Sequence, residues 1–169
     1  GVNHDEMMAI LAQKSRDNSR APMQWDDSEH AGFTLGTPWL EVASNYLHLN
    51  AQSALQDQNS VFYFYKKLIE LRKQQPVVTQ GSFQDLLPQD KQCYVYLRET
   101  ATQQLISISN YYAEQAQCDL PASIELANAK CLLTNYDNHA FQREGSMVTL
   151  RPYETRILLI EKQRAAVLS

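Results

Sequence analysis

The sequence predicts a chain of mixed class, in which an irregular N-terminal part ends in one long amphipathic helix and a small antiparallel all-β domain follows. Apolar residues recur at helical spacing over residues 60–75 and the pattern stops at Pro76. Beyond that point apolar and polar residues alternate, as in strands with one buried face. With 169 residues, 44% of them hydrophobic and 20% charged, the chain has an ordinary globular composition.

The N-terminal part begins with a short predicted helix over residues 4–14. Asn3 and Glu6 have the spacing of a capping box at its start. From residue 15 to about residue 57 no period is sustained, and turn-forming residues are frequent. Because an irregular segment of this length is unusual in a compact domain, we expect a functional loop within it.

The long helix is predicted over residues 60–75. Asn59 or Ser60 can cap its start, and Arg72 and Lys73 suit the negative end of the helix dipole. Its apolar face covers roughly half of the circumference, so it should pack against a large partner. That face comprises Val61, Phe62, Phe64, Tyr65, Leu68, Ile69 and Leu71.

Short strands are predicted in the second half of the chain, with turn-forming residues between them. The first is the segment CYVYLR at 93–98, in which apolar residues alternate with Tyr94, Tyr96 and Arg98. The others cover 104–110, 130–135, 147–152 and 154–161. Strands at this spacing are typical of an antiparallel sandwich or barrel.

Composition and charge argue against several classes of function. The net charge of −4 provides no basic field for nucleic acid or anionic lipid, and no apolar run is long enough for a membrane span. Cys93, Cys118 and Cys131 lie far apart in β-like stretches, which predicts reduced core thiols. The histidines have no close Cys or His partners, so we expect neither a metal site nor a cofactor. A reducing cytoplasm is the simplest compartment.

The segment SRDNSRAPMQW at 15–25 is the strongest candidate for a binding loop. Arg16 and Arg20 bracket Asp17, and the chain then becomes apolar up to Trp25. In one interpretation the arginines pair with nearby acids in a structural hairpin. In the other, a guanidinium binds the hydroxyls or anionic groups of a polar ligand beside an apolar anchor. Composition alone does not decide between the two.

Several motifs, in order along the whole chain, resemble the oligosaccharide-cleaving branch of the α-amylase superfamily, glycoside hydrolase family 13. They are RDNSRAPMQWDD at 16–27, HAGFT at 30–34, VFYFYKKLIELRK at 61–73, YVYLR at 94–98, NYD at 135–137 and LRPYE at 150–154. The resemblance implies a catalytic (β/α)8 barrel that is followed by an antiparallel β-domain. Residues 1–76 would then be the C-terminal segment of the barrel with its last helix, residues 77–161 a β-sandwich, and residues 162–169 a polar tail.

The resemblance also implies roles for the loop residues. Arg20 resembles the arginine that binds the terminal glucose in exo-acting members, and Arg16 and Asp17 would shape the loop. Ala21 stands where the family commonly has threonine, which weakens the inferred loop geometry. The paired carboxyl groups of a retaining glycosidase belong to family motifs that this sequence lacks, so no catalytic residue is assigned. Lys14 could contact a phosphate, although an exposed helix-end lysine is the simpler interpretation.

The implied function is that of a retaining exo-glucosidase acting on a small sugar, trehalose 6-phosphate, which it hydrolyses to glucose and glucose 6-phosphate. This chain would be its C-terminal portion, inactive alone and prone to self-association through the exposed face of the helix 60–75. An oligo-1,6-glucosidase or α-glucosidase of the same family is one alternative. A stand-alone sugar-binding or structural β-module is another, and it would need an aromatic platform among Tyr94, Tyr96, Tyr111 and Tyr112.

Overall fold

The computed structural model describes residues 3–14, 19–137 and 142–162, and it contains the predicted mixture of helices and antiparallel strands. The helices are α1 (His4–Lys14), α2 (Ala51–Gln56), α3 (Val61–Gln74) and α4 (Pro76–Gln80). The strands are β1 (Ser82–Asp85), β2 (Cys93–Glu99), β3 (Gln103–Asn110), β4 (Ala116–Asp119), β5 (Lys130–Thr134), β6 (Gln142–Glu144), β7 (Met147–Leu150) and β8 (Thr155–Glu161). Within this part of the chain, no helix is long and apolar enough to cross a membrane.

The chain divides into two compact units, the first ending at Phe64 and the second beginning at Tyr65. The first unit contains α1, α2 and the loops around them, and the second contains α4 and the strands. Helix α3 runs across the division. Because this division falls inside a helix, it does not test the predicted domain boundary after residue 76, which stays a prediction.

The first unit contains more regular structure than the sequence predicts. Helix α1 has the predicted bounds, and the side-chain oxygen of Asn3 accepts a hydrogen bond from the Asp5 amide at 3.3 Å. Helix α2 lies in the segment that was expected to be irregular. A capping box starts it, in which the Ser53 amide donates to Asn50 Oδ1 at 2.8 Å and the Asn50 amide donates to Ser53 Oγ at 3.2 Å. The helix is missed because six residues are too few to establish a period.

Helix α3 confirms the predicted long helix, with each end one residue inside the predicted bounds. Pro76 ends it, as expected, but the chain does not pass directly into a strand. Instead Pro76 starts the short helix α4, where a proline costs nothing because the first helical residue needs no amide donor. Helix α4 is not predicted from the sequence, because a proline after a long helix indicates only where that helix ends.

The strands form two antiparallel sheets, as the alternation predicts. One has five strands in the order β1-β2-β3-β8-β5, and the other has three in the order β4-β7-β6. The predicted strands correspond to β2, β3, β5, β7 and β8. The sequence does not predict β1, β4 and β6. Each has only three or four residues, which is too short for alternation of apolar and polar residues to be recognised.

The main core of the second unit lies between the two sheets. Cys93, Val95 and Leu97 of β2 are buried in it, whereas Tyr94 and Tyr96 are half-buried on the opposite face. The alternation in the sequence therefore assigns the two faces of β2 correctly. The smaller sheet contributes Ala116, Cys118, Val148 and Leu150 to the same core.

The three cysteines are free thiols, as predicted. Cys93 and Cys118 are buried in the core, and Cys131 is half-buried. Burial raises the pKa of each thiol above its ordinary value. Since the thiolate is the reactive form, these are structural cysteines rather than nucleophiles.

The other face of the five-stranded sheet packs against α4. Val77 of α4 is fully buried, and Leu105 of β3 and its register partner Leu159 of β8 are buried on that face. An added Cβ at Gly81 would lie 2.5 Å from the carbonyl oxygen of Val77 and 2.9 Å from the amide of Glu99. Only glycine therefore permits the close approach of this turn to β2.

The apolar face of α3 stays largely exposed. No residue of the helix is fully buried, and Val61 and Tyr65 are 83% and 63% exposed. The described part of the chain does not supply the large partner that such a face needs.

Candidate functional site

Arg20 lies within the described residues, whereas Arg16 and Asp17 lie outside them. Arg20 is exposed, and it has no hydrogen bond or ion pair among the described residues. Asp26, one of the nearby acids, is engaged elsewhere, because its Oδ1 accepts hydrogen bonds from the amide and hydroxyl of Ser28 at 2.9 and 2.5 Å. Those bonds lower the pKa of Asp26. The guanidinium of Arg20 is therefore available to a ligand or to an acid from elsewhere.

Gln24 fixes the chain that follows Arg20. Its side-chain amide donates to Asn45 Oδ1 at 3.1 Å and to the carbonyl oxygen of Leu49 at 2.6 Å. Its own carbonyl oxygen accepts a hydrogen bond from the amide of Ala51, the first residue of α2, at 2.9 Å. Both the side chain and the backbone of Gln24 thus tie this segment to the start of α2.

A left-handed turn at His30, Ala31 and Gly32 braces the same segment, with φ values of 54°, 56° and 65°. For residues other than glycine this conformation costs about 1–2 kcal/mol each. Ala31 is completely buried, and its carbonyl oxygen accepts hydrogen bonds from the amides of Trp25 and Asp26 at 2.9 and 3.3 Å. These bonds stabilise the turn and hold the backbone of Trp25 in place.

The apolar side chains of Met23 and Trp25 are largely exposed rather than packed in a core. They are 50% and 53% exposed, and farther along the same unit Leu35 and Trp39 are almost completely exposed. In this segment the backbone, rather than the apolar side chains, makes the stabilising contacts. Residues 19–25, here called the arginine loop, therefore carry one free guanidinium together with the exposed side chains of Met23 and Trp25.

The motifs at 135–137 and 150–154 contact each other in the β-domain. Asn135 donates from its side-chain amide to the carbonyl oxygen of Tyr153 at 2.8 Å, and its Oδ1 accepts from the Thr155 amide at 2.8 Å. The Tyr136 hydroxyl donates to the carbonyl oxygen of Pro152 at 2.7 Å. These bonds attach the end of β5 to the turn between β7 and β8.

Glu154 is the most buried carboxylate of the described chain, at 1% exposure, and it is a structural group. It accepts hydrogen bonds from Nε and Nη2 of Arg151 at 3.0 and 3.1 Å and from Nε of Arg156 at 2.5 Å. Burial by itself would raise the pKa of Glu154, but the bonds from Arg151 and the charge of Arg156 outweigh it and hold the pKa below its ordinary value. A carboxylate paired in this way with two arginines is a poor nucleophile or general acid.

The aromatic residues of the β-domain form a row in which rings pack on rings. Tyr96 lies 5.7 Å from Phe83 and 5.5 Å from Tyr94, and Tyr94 lies 6.4 Å from Tyr111, measured between ring centroids. Tyr94 and Tyr96 are half-buried in this row, as expected of strand residues that pack against their neighbours. Tyr111 and Tyr112 are 63% and 49% exposed, so the aromatic platform that a sugar-binding module would need stays a prediction.

The described residues contain no group of three or more His, Cys, Asp or Glu side chains that could hold a metal ion. Among the histidines, His139 lies outside the described residues. His30 lies 3.8 Å from the carboxylate of the exposed Glu29. The described histidines therefore do not form part of a cluster of possible metal ligands.

Comparison with known proteins matches the two halves of the chain to two domains of α-amylases. Residues 1–81 match the model of the α-amylase catalytic domain, and residues 93–157 match that of the C-terminal domain of the α-amylase SusG. The trehalose-6-phosphate hydrolase of Bacillus subtilis is 45% identical over 165 residues, which cover 96% of this chain and 29% of that protein. The oligo-1,6-glucosidase of Halalkalibacterium halodurans is 44% identical over 161 residues, which cover 94% of this chain and 28% of that protein.

A solved structure gives the same result. The crystal structure of the trehalose-6-phosphate hydrolase of Bacillus licheniformis superimposes with a TM-score of 0.88 at 41% identity, over 96% of this chain and 29% of that one. The chain thus spans less than a third of the length of the relatives that it matches.

Proposed function

Because the chain belongs to the α-amylase family of glycoside hydrolases, we propose that it is the C-terminal portion of a retaining exo-glucosidase. The proposed reaction is the hydrolysis of trehalose 6-phosphate to glucose and glucose 6-phosphate. The 45% identity to the trehalose-6-phosphate hydrolase of Bacillus subtilis supports this substrate. Free core thiols and a phosphorylated sugar fit a cytoplasmic enzyme.

The observation that carries the proposal is the free guanidinium of Arg20 on a loop whose following segment is fixed. A guanidinium presents its donors in a planar fork, which suits two adjacent sugar hydroxyls. Because Gln24 and the left-handed turn hold the chain beyond Arg20, little additional ordering is needed when a sugar binds. Arg20 would bind the terminal glucose and help to restrict the enzyme to chain ends.

This chain would contribute binding, and the rest of a longer protein would contribute the catalytic groups. A retaining glycosidase needs two carboxyl groups about 5–5.5 Å apart, one as nucleophile and one as acid/base. Of the acids discussed above, Asp26 is engaged by Ser28 and Glu154 by two arginines. Neither is offered as a catalytic residue.

An oligo-1,6-glucosidase is the alternative, since relatives of that name have almost the same identity to this chain. The two activities differ in the pocket for the reducing-side sugar. A discriminating assay therefore compares kcat/KM for trehalose 6-phosphate and for isomaltose in the full-length protein. Preference for trehalose 6-phosphate supports the proposal, and preference for isomaltose supports the alternative.

The role of Arg20 is tested in the same assay by the substitution Arg20→Ala. Losing a hydrogen-bonded charge should lower kcat/KM about 10- to 150-fold. Arg72→Ala, which removes an exposed arginine from the end of α3, serves as the matched control and should leave kcat/KM unchanged. An active enzyme in which Arg20→Ala behaves like Arg72→Ala would contradict the role of Arg20. The 169-residue chain assayed alone should be inactive.

A further inference from the structure

We infer that Gln24 is a positioning residue. Its side-chain amide holds the loop of Arg20 in the position in which Arg20 can bind the sugar. The inference rests on the proposed function, because it takes Arg20 as the group that binds the terminal glucose. Gln24 does not need to touch the substrate itself. Its hydrogen bonds fix the position of the C-terminal end of the arginine loop.

The hydrogen bonds of Gln24 reach far along the chain. Asn45 and Leu49, which accept from its Nε2, lie 21 and 25 residues away in sequence. Leu49 immediately precedes Asn50, the residue whose side chain caps α2. One amide group therefore connects the arginine loop to the capped start of a helix, which is a rigid point in this otherwise irregular unit.

The chemistry of these contacts requires an amide donor. Nε2 is the donor in both bonds, and both acceptors are oxygens without a proton to give, an amide Oδ1 and a backbone carbonyl. A glutamate at this position has the same shape but would place carboxylate oxygens against those acceptors. A leucine keeps most of the volume and removes both bonds. The two replacements therefore separate the need for a donor from the need for bulk.

The backbone of Gln24 and Trp25 adds a second connection to the same helix. Ala51 and Gln52 donate their amides to the carbonyl oxygens of Gln24 and Trp25, both at 2.9 Å. The side chain of Gln52 is exposed and has no hydrogen-bond partner among the described residues. Gln52 is therefore a matched control, a glutamine that contacts the same segment only through its backbone.

The experiment measures kcat and KM of the full-length enzyme with trehalose 6-phosphate for Gln24→Leu and Gln24→Glu, with Gln52→Leu and Gln52→Glu as controls. We expect KM to rise roughly tenfold to a hundredfold for both Gln24 variants, with a smaller change in kcat, because a displaced binding group affects substrate affinity first. The Gln52 variants should match the parent. Thermal unfolding of each variant verifies that the protein is folded.

A second arm combines Gln24→Leu with Arg20→Ala. If Gln24 acts through Arg20, its substitution should have little further effect once the guanidinium is gone. Equal losses in the two backgrounds, or an unchanged KM for Gln24→Leu, would overturn the inference while leaving Arg20 in its role. An unchanged KM for Arg20→Ala would instead overturn the proposed role of Arg20 and the inference with it, whereas the proposed reaction is tested separately by the substrate preference of the parent enzyme.

If the Gln24 variants do not fold, Asn45→Leu supplies the same test, since it removes one of the two acceptors and leaves Gln24 in place. It should raise KM by less than Gln24→Leu would. A folded Asn45→Leu enzyme with the KM of the parent would overturn the inference.

Discussion

Arg151 stacks its guanidinium on the ring of Tyr136, with 3.7 Å between Cζ and the ring centroid. The same guanidinium donates to Glu154 through Nε and Nη2. Since Tyr136 follows β5 and Arg151 follows β7, one side chain joins two segments that are distant in sequence. The stacking and the ion pair together stabilise the turn that leads into β8.

Removal of the carboxylate in this network should be costly. Glu154→Ala removes the carboxylate with which the fully buried Arg156 forms an ion pair, and breaking a buried ion pair costs about 3–5 kcal/mol. Chemical denaturation, followed by circular dichroism, measures the loss in the free energy of unfolding. Glu125→Ala, at an exposed position, should change it by no more than about 0.5 kcal/mol. Similar losses for both variants would show that the buried network is not a major source of stability.

The same carboxylate predicts how stability depends on pH. The pKa of Glu154 is lower in the folded protein than its ordinary value of 4.5, so the unfolded chain binds the proton more readily. Glu154 therefore contributes its full stabilisation above about pH 4.5 and loses it as the pH falls through the folded-state pKa. Denaturation series between pH 7 and pH 3 should show this loss in the parent protein. The loss should be smaller in Glu154→Gln, which has no proton to take up.

The sequence predicts the long and periodic elements well. Helix α3 and strand β2 are found where expected, because a period of 3.6 or 2 is unambiguous when it extends over a long enough stretch. Short elements depend on specific contacts, and these contacts do not produce a periodic pattern in the sequence. Helix α2 depends on the reciprocal bonds of Asn50 and Ser53, and the turn after α4 depends on the close approach that Gly81 allows.

The candidate site is predictable only in part, and for a different reason. Arg20 is found through the resemblance of its motif, since an exposed arginine has no periodic signature. The anchoring role of Gln24 is not visible in the sequence, because its partners Asn45 and Leu49 come into contact only in the folded loop. The only sequence feature that points to this role is the polar amide of Gln24 between the apolar residues Met23 and Trp25.

The left-handed turn predicts a specific intolerance at Gly32. A Cβ there would lie 2.6 Å from Asp26 Oδ2, and the φ of 65° is unfavourable for any other residue. Gly32→Ala should therefore destabilise the first unit by about 1–3 kcal/mol. Gly36→Ala is the matched control, because nothing lies within 4 Å of its added Cβ and its φ is not positive. Limited proteolysis should cut the Gly32 variant faster within residues 19–57, and equal rates for both variants would contradict the prediction.

The exposed face of α3 predicts that the 169-residue chain self-associates. Val61 and Tyr65 are 83% and 63% exposed on a helix that buries no residue fully, and contiguous apolar surface of this kind promotes association in water. Sedimentation velocity over a range of concentrations should show dimers or larger species, and the charge introduced by Val61→Glu or Tyr65→Glu should shift them toward monomer. Lys67→Gln changes the net charge by the same amount at an exposed polar position and should leave the distribution unchanged. A monomer at every concentration would mean that this face does not associate with itself, and a shift caused equally by Lys67→Gln would assign the effect to net charge rather than to the apolar surface.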